Sequence, residues 1–347
     1  MDNKTIEINS QPSIAIIILN WNGYNDTIAC LKSIAECNYN NFEIILLDNA
    51  SADNSVNQIK KWINEDQEIS ARKFQLKGNS VNSEILKEDI GITFIENSEN
   101  FGFAKGNNIG IAEALKEGFG YVMLLNNDTV VEKNFLDELI SFFEKNKEYS
   151  VASPQIRYYS KPEIIWNCGG LISNYGSRKY FYDDKNYSEL PETDFLTISF
   201  ITGCALIAKA EVFQNYGALT EAFFFGEEDF EFSMRMKKLN VKVACVLNSL
   251  IYHKVSSSIS AASNVLIGKI YIYYLNRFIN LKSFMNPLKW HTWRLTYTIY
   301  IFLLLKKKHH FRTKTIRTFI KSLLKDSKKL SGVDKQIFEK YINCKFE

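Results

Sequence analysis

The chain of 347 residues is 46% hydrophobic and 14% aromatic, enough to bury one large core with an appendage or two modest cores. Its six cysteines, Cys30, Cys37, Cys168, Cys204, Cys245 and Cys344, are dispersed without a CxxC pair, which argues against a disulfide framework or structural zinc and for a reducing, cytoplasmic setting. The net charge of +3 hides an asymmetry: residues 282–347 hold 16 Lys and Arg against four Asp and Glu, a net of +12, so an acidic body precedes a basic tail.

Residues 14–19, IAIIIL, are continuously apolar and mostly β-branched, as in a strand buried on both faces. They lead into Asn20 and Asn22 and not into a small-residue cleavage site, so no secretory signal is expected. Asn22-Gly23 reads as a turn, and Asn25 or Asp26 as the cap of a helix over 27–35. A second buried strand, 42–47, runs into Asp48-Asn49-Ala50-Ser51; strand, helix and strand of these lengths make a βαβ unit with parallel strands. Asp53 is placed to cap the helix that follows. Residues 64–89 are polar, carry little periodicity and read as an insertion with one short helix. The pattern resumes with a strand at 91–95 and a Gly/Asn-rich loop, 97–110, leading into a helix through Leu115. Such a loop sets backbone N–H groups near a strand end, which suits a diphosphate, although an ordinary connector has the same composition.

The stretch 121–129, YVMLLNNDT, ends an apolar, β-prone run in two carboxamides, an aspartate and a hydroxyl. A buried strand delivers polar side chains to a sheet edge in this way, and in open α/β folds ligands sit at the carboxyl ends of strands. Asn and Asp also favour turns on their own account, so the stretch alone is not diagnostic. After a helix at 133–145 come β-like segments at 150–156, 164–171 and 195–201, then the small-residue run Thr202-Gly203-Cys204-Ala205, which leaves room for a substrate or simply packs tightly. Residues 223–236, FFFGEEDFEFSMRM, place Glu227, Glu228 and Asp229 at a helix start. The macrodipole favours negative charge there; the functional alternative is a general base whose apolar neighbours raise its pKa. A strand at 241–247 leads to His253.

Beyond Ser260 the pattern is helical, at 265–279, 288–305 and 314–324, so the expected division is 1–260 and 261–347. The middle helix combines Trp290, Trp293, Tyr297 and Tyr300 with Lys306, Lys307 and Lys308, and its uninterrupted apolar run is far short of the roughly 20 residues a membrane span needs. It fits either an amphipathic helix at an anionic membrane surface, with contact through 288–329, or a helical cap on the body. No nucleic-acid recognition motif accompanies the basic tail.

Taken in order, IIILNWNG, LLDNASADNSV, NFGFAKGNNIG, LLNNDT, TGCALIAK, FGEEDFEFSMRM and YHKVSSS resemble the successive motifs of family 2 glycosyltransferases, in particular the bacterial rhamnosyltransferase-type enzymes of surface polysaccharide synthesis. The likeness covers roughly residues 14 to 260. It implies an α/β fold of GT-A type, a mostly parallel central sheet flanked by helices, here with a helical C-terminal extension. It also implies inverting transfer of a sugar, L-rhamnose in that branch, from a dTDP- or UDP-linked donor to a hydroxyl of a glycan or lipid-linked acceptor, with Mg²⁺ or Mn²⁺. The setting that follows is the cytoplasm, at the inner face of the membrane if the tail binds lipid.

By position, the resemblance gives Asp48 to the pyrimidine base, with Asn20 and Trp21 as the neighbouring wall and Asn100, Gly102, Lys105 and Asn127 in the donor-nucleotide site. Asn126-Asn127-Asp128 stands where the family has DxD, so Asp128 alone keeps the anionic metal ligand, and His253 completes the metal or diphosphate site. Asp229 matches the catalytic base, Glu231 replaces the usual second aspartate, and Arg235 matches a basic structural partner of these carboxylates. Gly203 and Glu228 fall to the acceptor or sugar pocket. A nucleotidyltransferase would need a Gly- and Arg-rich phosphate loop after the first strand, where this chain has NWNGYND. A non-catalytic nucleotide-sugar binder would keep Asp48 and lose the base, against which Asp229 argues. The enzymatic reading requires Asp128 and Asp229 to converge on one cleft.

Overall fold

The computed structural model describes residues 11–65, 73–77, 89–255 and 263–346. Its first part runs Ile14–Asn20 (β1), Tyr24–Ala35 (α1), Phe42–Asp48 (β2), Ser55–Glu65 (α2), Phe74–Leu76 (β3), Ile90–Glu96 (β4), Gly102–Lys116 (α3) and Tyr121–Leu125 (β5). Here β5, β1, β2, β4 and β3 lie side by side, all parallel. The apolar runs are buried on both faces, as their continuity requires: in β1, Ile14, Ile16 and Ile18 enter one core and Ala15 and Ile17 the other, on opposite sides of the sheet.

The second part adds Thr129–Val131 (β6), Phe135–Lys145 (α4), Tyr149–Tyr158 (β7), Lys161–Asn167 (β8), Gly170–Ile172 (β9), Arg178–Tyr180 (β10), Phe195–Ile198 (β11), Ala205–Lys209 (β12), Ala210–Tyr216 (α5), Glu228–Lys238 (α6) and Lys242–His253 (β13). The whole sheet has the order β11-β13-β7-β12-β5-β1-β2-β4-β3, with β6 on β13 and β8 on β7; β9 and β10 form a separate antiparallel pair. Strand β12 is antiparallel to both β5 and β7 and so joins the parallel half to the rest.

Four helices follow: Ser263–Phe284 (α7), Pro287–Lys307 (α8), Thr313–Lys329 (α9) and Lys335–Ile342 (α10). Their own core, built on Tyr271, Phe278, Ile301 and Phe319, also takes in Phe223 and Val333. Val333, between α9 and α10, pairs with the segment just before the acidic cluster: Phe224 N–H donates to Val333 O at 2.7 Å and Val333 N–H to Ala222 O at 2.7 Å. No helix among the described residues is long and apolar enough to cross a membrane.

Several expectations need correction. The stretch expected to be loop up to residue 110 is helical from Gly102, because its glycines let α3 lie close on the sheet: a Cβ on Gly106 would stand 2.8 Å from Leu19, and one on Gly110 2.6 Å from Ile17. Helix α1 starts at Tyr24 after Gly23 with no side-chain cap, so neither Asn25 nor Asp26 caps it. His253 is the last residue of β13, which is longer than expected, and α10 was not anticipated. Within the insertion at 64–89, the described part contributes strand β3 and the end of α2; residues 66–72 and 78–88, on which the expectation of a short helix also falls, lie outside the described residues, as does the end of the last motif, 256–258.

Candidate active site

The site is built at the carboxyl ends of β1, β2 and β5. Asn20, at the end of β1, is fully buried; its amide donates to Asp48 Oδ1 at 2.7 Å and to Ser51 Oγ at 3.2 Å, while its Oδ1 accepts from Thr27 at 2.8 Å. Asp48 is 2% exposed, and its Oδ2 accepts from Ser51 N–H at 2.8 Å. Asn22, at φ 52°, accepts from Ala52 N–H at 2.7 Å, so the two loops are stitched together by short polar side chains. The fully buried Asn20 amide, with hydrogen bonds to Asp48, Ser51 and Thr27, braces the loop pair. Asp48 keeps one free lone pair on Oδ2 at most, and Trp21, which follows Asn20 in the chain, is half-exposed.

The loop before α3 is likewise tied down by internal hydrogen bonds. Phe101 N–H donates to Asn49 Oδ1 at 3.1 Å, Gly102 N–H to Asn100 Oδ1 at 2.9 Å and Phe103 N–H to Phe224 O at 3.2 Å. These three N–H groups therefore have protein acceptors. Gly102 is required at φ +79°, where a Cβ would stand 2.1 Å from Phe224 O. Lys105 stays exposed, its ammonium 4.0 Å from the Phe101 ring centroid.

At the end of β5, Asn127 turns its amide back to Thr27 Oγ1 at 3.0 Å, leaving Asp128 as the acidic group of the turn. Asp128 Oδ1 lies 3.1 Å from His253 Nε2, brought there because β6 pairs with the end of β13, Thr129 opposite His253. The imidazole packs edge-on against Trp166, and its Nδ1 is a buried nitrogen without a hydrogen-bond partner. Among the described residues no group of three or more His, Cys, Asp and Glu forms a metal cage. A carboxylate and an imidazole converging at one point nevertheless fit a divalent cation of the kind that takes one or two protein ligands and fills its remaining positions from phosphate oxygens and water.

Asp229 reaches the same edge from the far side. Its Oδ2 accepts from Gly203 N–H at 3.5 Å; the next residue, Cys204, accepts from Asn126 N–H at 2.8 Å. One turn, Thr202 to Ala205, thus contacts the Asp229 carboxylate through Gly203 and the start of the Asn126–Asp128 turn through Cys204.

The acidic cluster has an internal order that its sequence does not display. Gly226 and Glu227 are both left-handed, at φ 81° and 83°, a conformation that costs a non-glycine residue on the order of 1 kcal/mol or more. Glu227 is held there by Arg178, whose Nη2 donates to its two oxygens at 2.7 and 2.6 Å, and by Asn280 of α7, which donates at 3.0 Å. Arg178 also lies flat against Phe230 and donates to the Tyr273 hydroxyl at 3.2 Å. Burial pushes Glu228 up to about 8, helped by the charges of Asp229 and Glu227. Burial likewise raises Asp229 to about 6, with Arg178 pulling it down and Glu227 pushing it up. Both carboxyls are thus held toward the neutral form, Glu228 by burial beside two acidic neighbours and Asp229 by burial that Arg178 opposes.

Glu231 and Arg235 pair with each other at 2.9 Å, and Arg235 also donates to the carbonyls of Gly217 and Ala218, so this arginine ties α6 to the end of α5 and does not touch Asp229. Arg178, Asn280 and Tyr273 escaped sequence reasoning. Arg178 lies in a tyrosine-rich polar stretch without periodicity, and the other two belong to a helix read as separate from the body. A cavity of about 290 Å³ opens between Glu228, Asp229 and Phe225 on one side and Tyr273 and Asn276 of α7 and Phe338 of α10 on the other. Asn276 Oδ1 and Glu228 Oε2, both on residues lining this cavity, are buried and lack partners.

The family model described as glycosyl transferase family 2 matches residues 15–217. A low-salt glycan biosynthesis hexosyltransferase from Haloferax volcanii is 22% identical over 280 residues, which covers 79% of this chain and 76% of the relative. Among solved structures, mannosyltransferase PcManGT from Pyrobaculum calidifontis in complex with GDP-Man and Mn²⁺ aligns over 77% of this chain with a TM-score of 0.51 and 13% identity. GalNAc-T7 with UDP, GalNAc and Mn²⁺ aligns over 92% with a TM-score of 0.53, also at 13% identity. This chain spans 64% and 57% of those two chains, and at such identities the likeness speaks for the fold alone.

Proposed function

The chain belongs to glycosyl transferase family 2 and has a GT-A fold, and from that premise we propose that it transfers a hexosyl group, with inversion, from a nucleoside-diphosphate sugar to a hydroxyl of a glycan or lipid-linked acceptor. The observation that supports the proposal is that the Thr202–Ala205 turn contacts both Asp229 and the Asn126–Asp128 turn, one carboxylate raised toward neutrality by burial and the other beside an imidazole.

In this reading the acceptor hydroxyl enters the cavity closed by α7 and α10, and Asp229 accepts its proton as the hydroxyl oxygen bonds to the anomeric carbon. The bond from that carbon to the diphosphate oxygen breaks on the opposite face, the electron pair leaves with the nucleoside diphosphate, and a single displacement inverts the centre. A base near pH 6 is ionised at neutral pH yet still basic enough to take a proton in the transition state. Glu228, neutral at pH 7 with one oxygen unpartnered, is available to donate to an acceptor oxygen. Asp128 and His253 would hold Mg²⁺ or Mn²⁺, which supplies positive charge to the leaving diphosphate. Trp21, with Asp48 behind it, offers the flat surface for the base, and Lys105 an exposed cation near the donor. A dTDP- or UDP-linked donor is the first to test, with L-rhamnose as the first sugar.

In this reading residues 263–346 are a basic helical extension to the catalytic unit that also walls the acceptor side, since α7 and α10 line the cavity. Nucleoside diphosphate release is to be measured across a panel of donors, with Mn²⁺ and with chelator. Asp229→Asn should bind donor as the parent does and lose transfer. Near-normal turnover in that variant would remove Asp229 from the role of base.

A further inference from the structure

The buried face of α8 packs Ile301 and Leu305 into the core of the C-terminal helices and Trp290 into a small cluster with Ile172, Phe200 and Met234 of the body, and Arg294 ties it to α9 by donating to Leu324 O at 2.9 Å and Ser327 Oγ at 3.2 Å. The opposite face is apolar and open. Leu288, Leu295, Ile299 and Leu303 are 77%, 55%, 64% and 47% exposed, at spacings of seven, four and four, so they form one stripe along the helix. The polar residues set among them are already satisfied within the helix. Thr292 Oγ1 donates to Leu288 O at 3.1 Å, and Thr296 Oγ1 to Trp293 O at 2.9 Å. A face whose hydroxyls are turned onto its own backbone loses little on leaving water.

Charge tells what such a face would meet. Helix α8 contains no acidic residue and ends in exposed Lys306 and Lys307, with Lys308 after it. Its neighbour α9 turns Lys314, Arg317, Lys321, Lys325 and Lys328 outward, at spacings of three, four, four and three, a second stripe that is wholly basic. The one acid of α9, Asp326, is withdrawn from it, accepting from the Tyr271 and Tyr341 hydroxyls at 2.7 and 2.5 Å. An apolar stripe on one helix, bound to a helix with an uninterrupted basic stripe, is the arrangement that lies in a bilayer interface and contacts anionic headgroups.

We propose that α8 and α9 form a monotopic docking surface for an anionic lipid bilayer, with Leu288, Leu295, Ile299 and Leu303 entering the acyl boundary and the lysines and arginine of α9 meeting lipid phosphates. This surface is separate from the catalytic machinery and does not depend on the transferase reading.

The test is flotation of the full chain with vesicles of phosphatidylcholine alone and of phosphatidylcholine with phosphatidylglycerol, at low and high salt. Binding is expected to the phosphatidylglycerol vesicles, weak to the neutral ones and reduced by salt. Lys314→Gln/Lys321→Gln/Lys325→Gln should weaken binding roughly a hundredfold, on the order of tenfold or less per charge. Leu295→Glu/Ile299→Glu should abolish it while leaving the circular dichroism spectrum and donor-stimulated nucleotide release unchanged. Failure to float with phosphatidylglycerol vesicles would overturn the proposal, as would flotation indifferent to Leu295→Glu/Ile299→Glu. A concentration-dependent dimer that binds no vesicle and is dispersed by Ile299→Glu would instead assign the face to a second copy of the chain.

Discussion

Replacing Arg178 by methionine tests how the acidic loop is held. The guanidinium and the Glu227 carboxylate are 7% and 3% exposed and meet at 2.6 and 2.7 Å, with Asn280 as the other partner of Glu227. Arg178→Met leaves a buried carboxylate on a left-handed residue with only a neutral amide beside it. Breaking one side of such a pair costs about 3–5 kcal/mol, whereas removing both charges together is close to neutral. Urea titrations followed by circular dichroism should therefore show Arg178→Met destabilised by about 3–5 kcal/mol and Arg178→Met/Glu227→Gln restored to within about 2 kcal/mol of the parent. The same pair acts on Asp229 with opposite signs, Arg178 lowering it and Glu227 raising it. The acid limb of the kcat/KM profile should move to higher pH in Arg178→Met, on the order of tenfold in proton concentration, and to lower pH in Glu227→Gln. Destabilisation by itself cannot produce shifts of opposite sign. A single variant within about 1 kcal/mol of the parent, or coincident pH profiles, would refute the assignment of this pair as the device that positions and tunes the base.

Glu228 supplies a linkage test. Its carboxyl is raised by burial to about 8 from an ordinary 4.5, so the folded state holds the proton more tightly than the unfolded one. The resulting stability is fully present below pH 4.5 and is lost as pH rises through about 8. Glu228→Gln should match the parent in urea at pH 4 and exceed it at pH 9 by a few kcal/mol, at about 1.4 kcal/mol for each tenfold difference in proton affinity between the folded and unfolded chains; an equal gap at both pH values would count against the raised carboxyl. Chelation should stop transfer and Mn²⁺ restore it, while Asp128→Ala should raise the Mn²⁺ concentration needed for half-maximal rate; an unchanged Mn²⁺ dependence would move the metal elsewhere. Gly102→Ala should destabilise the chain by more than about 2 kcal/mol, because a Cβ meets Phe224 O at 2.1 Å on a backbone at φ +79°. A parent-like urea midpoint for this variant would mean that the α3 junction yields freely.

What could be read along the chain was whatever depends on near neighbours in sequence. The parallel strands β1, β2, β4 and β5 follow from short, largely apolar runs of β-prone residues, and the order of polar motifs at their ends pointed to one sheet edge and one family. Helix α3 was expected to start too late because glycine lowers intrinsic helix propensity by about 1 kcal/mol per residue, and only the packing of Gly106 and Gly110 against Leu19 and Ile17 offsets it in the first turns. Asn20 and Asp128 are equally polar and both stand at strand ends, yet one is fully buried in hydrogen bonds from distant loops and the other sits partly open beside His253. The grip of Arg178 and Asn280 on Glu227, and the closure of the acceptor side by α7 and α10, join residues tens of positions apart. Periodicity reports which side of its own element a residue occupies; what it faces there is set by elements far along the chain, and the chemistry of a carboxylate depends on what it faces.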